Sequence, residues 1–173
     1  MTKKIFLKLA IVSILVFVLI WAISVVCSEN KNCATIELRQ QYLNELVNLR
    51  DVNIDTEIKI DDYIISGYTG ANGMYGMAVF EPIGSGEYKF QSNANKDGSE
   101  SLISTVSIHG VNYNLFWINK GNLDFAQVTY STSDGIEEYK LDIENNEILY
   151  MQAPDKQYEV SVVFVAQSGE QYR

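Results

Sequence analysis

Side chains of the kinds that do acid–base or covalent chemistry are few in this sequence, and their spacing keeps them apart. His109 is the single histidine. Serine-hydrolase chemistry needs a histidine held between a nucleophilic hydroxyl and an orienting carboxylate. His109 is instead followed by Gly110 between two strand-like runs, which reads as an exposed tight turn. The carboxylate pairs Asp61-Asp62 and Glu137-Glu138 are adjacent in sequence, and neighbours on a strand point to opposite faces, so neither pair suits two-carboxylate catalysis. Zinc takes four N or S ligands, whereas this chain offers Cys27, Cys33 and one histidine. In an oxidising compartment Cys27 and Cys33 would instead close a small local loop, and burial of Cys27 at a bilayer edge is the alternative.

From Asn93 to Glu100, oxygen donors alternate and lead to Gly98, in the manner of the first half of a calcium loop. The position that should close the loop with a bidentate glutamate is Ser104, so an ordinary polar loop is expected. No catalytic residue, metal site or cofactor follows from these patterns. Of eleven tyrosines, four lead alternating apolar rows and read as core. Tyr68 lies in the glycine-rich stretch 67–73 and reads as a surface side chain. Tyr68 and Asn72 are accordingly the expected ligand- or partner-binding residues, on a loop shaped by its glycines.

The element that would place all of these is at the start of the chain. Leu9 to Cys27 is an unbroken apolar run, and 19 helical residues span roughly 28 Å, close to a bilayer's hydrocarbon thickness. Lys3, Lys4 and Lys8 flank it on one side and Ser28-Glu29-Asn30-Lys31 on the other. The positive-inside bias then leaves the N-terminus in the cytoplasm and exports the rest. Residues 1–27 are therefore expected to be a single-pass membrane anchor, 28–33 a juxtamembrane segment and 34–173 an extracytoplasmic domain. Two alternatives stay open: cleavage after Ala22-Ile23-Ser24, giving a secreted protein, and lipidation of Cys27, against which Val26 stands where a small residue is the norm.

Beyond Cys27 the chain has ten basic and twenty-two acidic residues, a net charge of −12. Such a domain repels nucleic acid and anionic headgroups and attracts cations or basic protein surfaces. Its roughly 146 residues suffice for one domain with a real core. Leu38, Tyr42, Leu43, Leu46, Val47 and Leu49 recur at helical spacing, predicting an amphipathic helix of about four turns, with Asn32 as N-cap, packed on the domain.

From Thr56 the period falls to two. Strands are expected at 56–68, 74–81, 87–92, 102–108, 111–119, 123–131, 135–144, 147–152 and 157–166, joined by Gly-, Asn- and Asp-containing turns. The fold class is mainly β: an antiparallel meander of about eight or nine strands, as a curled sheet, sandwich or open barrel, preceded by the helix. Tyr75/Met77/Val79, Tyr113/Leu115/Trp117, Tyr139/Leu141/Ile143 and Tyr158/Val160/Val162/Phe164 mark its buried rows. The functional expectation is a non-catalytic, membrane-tethered binding or accessory module acting on an extracytoplasmic protein or envelope component. An envelope enzyme or ligand sensor with an unmarked polar site is the alternative.

Overall fold

The change of period near Thr56 divides the molecule into a helix and a set of strands. The computed structural model describes residues 32–46, 49–98, 101–144 and 147–173. The anchor segment Leu9 to Cys27 with its cleavage and lipidation alternatives, residues 28–31, Val47, Ser99, Glu100 and Asn145-Asn146 lie outside the described residues. Among those described, no helix is long and apolar enough to cross a membrane.

Helix α1 spans Ile36–Glu45. Its N-cap is Thr35 and not Asn32: Thr35 is extended, and its hydroxyl oxygen accepts from the Leu38 N–H. The helix is also a turn shorter than expected. The chain leaves it at Leu46 so that Leu49 and Val52 join Leu43 and Cys33 in one buried cluster against the first sheet.

Among the described residues eleven strands follow: β1 (Asn53–Ile60), β2 (Tyr63–Thr69), β3 (Met74–Gly84), β4 (Glu87–Asp97), β5 (Leu102–Ile108), β6 (Val111–Trp117), β7 (Leu123–Thr132), β8 (Gly135–Asp142), β9 (Leu149–Gln152), β10 (Tyr158–Ala166) and β11 (Gln171–Tyr172). All pairings are antiparallel. The arrangement is not one meander. The described strands form three sheets, in strand order β1-β2-β3-β4, β5-β6-β9 and β11-β10-β7-β8. The β7–β8 hairpin leaves for the third sheet before β9 returns to pair with β6, and β10 then lies on the far side of β7.

Burial explains the layering. In β6, Leu115 and Trp117 pack with Ile65, Met77 and Val79 of the first sheet, while Phe116, and Ile118 just beyond the strand, pack with Val128, Tyr130, Val162 and Phe164 of the third. β2 and β3 are likewise apolar on both faces, since Tyr68, Ala78 and Phe80 meet the helix. A strand buried on both sides needs a layer on each. The result is a stack of helix, sheet, sheet and sheet.

Two of the expected strands are redrawn. The run 56–68 is a hairpin, turning at Asp61 (φ 53°) and Asp62 between Ile60 and Tyr63. β4 continues through Asn93–Asp97, paired with Met74–Ala78, so the stretch that resembled half a calcium loop is largely strand. Register shifts near Asp55 and Gln91 reverse the side-chain parity of β1 and β4. Ile54 thus meets the helix while Ile58 and Ile60 face the second sheet, and Phe90 and Ala94 divide in the same way.

Candidate interaction surface

Tyr68 and Asn72, read from the sequence as neighbours on one loop, are separated by the fold. Gly67, Tyr68 and Thr69 belong to β2, and only residues 70–73 form the connection to β3. The Tyr68 side chain is 0% exposed, in the cluster beneath α1. Its hydroxyl accepts from Asn93 Nδ2 at 3.2 Å, and burial pushes its pKa above the usual phenol value. It is therefore not a surface side chain, and the expectation is corrected. The glycines that suggested a loop make room for rings instead. A Cβ on Gly76 would stand 2.5 Å from the Tyr68 ring and hydroxyl, and one on Gly67 would stand 3.0 Å from Trp117. Asn72 is exposed, in a 3₁₀ turn at φ 61°.

His109 occupies the turn its sequence suggests. His109 (φ 48°) and Gly110 (φ 81°) join β5 to β6, and both residues carry the positive φ of a type I′ hairpin turn. Its Nε2 lies 2.8 Å from Asp62 Oδ1, which links the exposed tips of two hairpins in different sheets.

A groove of about 440 Å³ runs between the start of α1 and the first sheet, lined by Arg39, Glu57, Lys59, Tyr88 and their neighbours. Arg39 is buried. Its Nε and Nη2 donate to the two Glu57 oxygens at 2.8 Å each, and Nη1 donates to the carbonyls of Cys33 and Ala34. The Ser66 hydroxyl donates to the same carboxylate. These groups are engaged with one another, so the pair fastens the helix to the sheet.

Between the second and third sheets lies a polar cluster around Asn114, which sequence reasoning missed. Its Oδ1 accepts from the hydroxyls of Thr105 (2.8 Å) and Tyr158 (3.0 Å), and its Nδ2 donates to the Tyr130 hydroxyl (2.9 Å). One buried amide thereby ties β5, β6, β7 and β10 together. The available signal was an asparagine within the apolar run Tyr113–Trp117. Tyr130 makes edge contacts with Tyr158 at 5.6 Å and Tyr139 at 6.1 Å, so aromatic rings step outward from the core to β8.

Sheet edges are where a β protein offers main-chain hydrogen bonds to others, and most edges here are blunted. At β1, Asn44 and Gln40 of the helix accept from the Val52 and Ile54 N–H groups. β4 carries two register shifts and its Tyr88 carbonyl accepts from Cys33. The start of β5 is tied to the Arg173 carbonyl through Ser101, and β9 and β11 have four and two residues. β8 differs: eight residues, paired on one side only and without a register shift.

Nearly every β8 side chain is exposed, including Ile136 (70%) and Tyr139 (38%), so Tyr139 does not lead a buried row as its spacing suggests. Ile136, Glu138, Lys140 and Asp142 form its outer row, opposite Ser131, Thr129, Gln127 and Phe125; Glu137, Tyr139 and Leu141 form the inner one. Tyr139 donates to Glu137 at 2.6 Å, which raises the pKa of the phenol. Asp134, in the preceding turn, has its pKa lowered chiefly by the hydrogen bond from Lys156. The Lys140 ammonium lies 4.3 Å from the Phe125 ring centre. Neither a family model, nor a characterised protein, nor a solved structure matches the chain.

Proposed function

We propose that this chain is a non-catalytic binding or accessory module, tethered to the cell membrane through Leu9 to Cys27, whose β domain engages a protein or envelope component outside the cell. The observation that carries the reading is the exposed aromatic and apolar surface on successive edge strands: Ile136 and Tyr139 on β8, and Tyr150 (46% exposed) on β9. Exposed aromatic side chains at strand edges are the kind of surface that protein partners cover, and the buried charged and polar groups of this domain are committed to its own packing. The acidic balance of the domain favours a basic partner.

Photo-crosslinking tests this. With a photoreactive residue at Tyr139 or Tyr150 of the full chain, irradiation of intact cells should give a discrete adduct of higher mass, while a probe at Asn72 should give less. Absence of an adduct from both edge positions would contradict the reading.

The groove beside Arg39 supports a second reading as a ligand sensor, since its volume falls in the small-molecule range. Lys59 is its exposed cationic side chain, and loss of a ligand-induced Tm shift in Lys59→Ala would mark that alternative.

A further inference from the structure

We propose that β8 receives an extended, basic segment of a partner protein as an added strand. This deepens the binding-module reading and rests on it. Strand addition requires an edge with free length, regular register and accessible main chain. Among the described sheet edges, β8 combines these features: eight residues without a register shift, no segment of the described chain on its outer side, and side chains exposed almost throughout.

Charge selects the occupant. Asp134, Glu137, Glu138 and Asp142 stand along the hairpin, and Glu159 shares the outer face of the same sheet through its pairing with Ser131. The basic groups nearby are already engaged, Lys140 with Phe125 and Asp142, and Lys156 with Asp134. An incoming strand with lysine or arginine on one face would meet Glu138 and the Lys140–Asp142 pair in the outer row, while its other, mainly apolar face would cover Tyr139 and Leu141 beside Glu137 in the inner one. A second copy of this chain fits less well, because pairing β8 with itself brings together two domains that each carry −12.

The test uses the full chain purified in detergent and a fluorescent peptide of four Lys-Val repeats, read by anisotropy and by amide hydrogen exchange. Binding should slow exchange within 135–142. Affinity should fall at least about tenfold for a fully N-methylated peptide of the same charge, for a Glu-Val peptide, and for the E137K/E138K chain. Equal binding of the N-methylated peptide would reduce the contact to surface charge and overturn strand addition. Slowed exchange confined to another strand would overturn it too, as would protection of 135–142 in a peptide-free dimer. If strand addition fails while crosslinking from Tyr139 persists, the module reading stands without this mode; loss of crosslinking as well removes both.

Discussion

Trp117 and His109 are eight residues apart and occupy opposite extremes of the same hairpin. Trp117 is wholly buried at the layer shared by the first and second sheets, with the Tyr75 ring 5.8 Å away and Gly67 leaving space for its indole. Its replacement by alanine opens a cavity that rigid sheets on both sides cannot close, so Trp117→Ala should cost about 3–5 kcal/mol in urea unfolding. His109 makes an exposed contact with Asp62, and surface ion pairs contribute little, so His109→Ala should change stability by less than about 1 kcal/mol. Equal effects from the two would contradict the placement of β6 at the centre.

The buried tyrosines give a pH signature at the same scale. Burial raises the pKa of the Tyr68 and Tyr130 hydroxyls, so folding favours their neutral forms. The stability this contributes is fully present below the ordinary tyrosine pKa of about 10 and is lost as pH rises through the raised values. Ultraviolet titration should therefore show ionisation above that of free tyrosine, coinciding with alkaline unfolding. In Tyr68→Phe the high-pH component should shrink. Titration of all tyrosines at the ordinary value, with the fold intact, would refute the burial.

Among the elements, the helix is held by a charge pair as well as by its apolar face. Arg39 lies on the side that periodicity assigns to solvent, yet it is buried and bonded to Glu57 and two carbonyls. Arg39→Ala should destabilise by about 2–4 kcal/mol, somewhat below the cost of breaking a fully buried pair because Glu57 keeps 24% side-chain exposure. The double change Arg39→Met/Glu57→Leu should recover part of that loss. A double variant less stable than Arg39→Ala would show that the pair stabilises beyond removal of an uncompensated charge.

The same scale shows what a single sequence reveals of such a fold. Period-two rows and glycine turns located β5 and the inward faces of β3, β6 and β10, because those signals are local. The β1–β2 turn was hidden by Asp61-Asp62, which has no glycine. The end of β4 was hidden because an edge strand can be polar at nearly every position, here all but Ala94 from Asn93 to Asp97. Division into three sheets depends on β9 returning to β6, a pairing that local patterns do not encode. The surface at β8 was obscured for the same reason, since an edge exists only once the strand order is known. Tyr68 was misplaced because glycine serves close packing as well as mobility.

For the whole molecule, the proposed function requires polarity across a membrane, with lysines before the apolar segment and a −12 domain after it. A binding surface on β8 is useful to an extracytoplasmic partner only if that domain lies outside. The most direct measurement is protease treatment of intact cells carrying one epitope before Lys3 and another after Arg173. The C-terminal epitope should be destroyed while the N-terminal one survives in the membrane fraction. Survival of the C-terminal epitope until the cells are lysed would contradict the account.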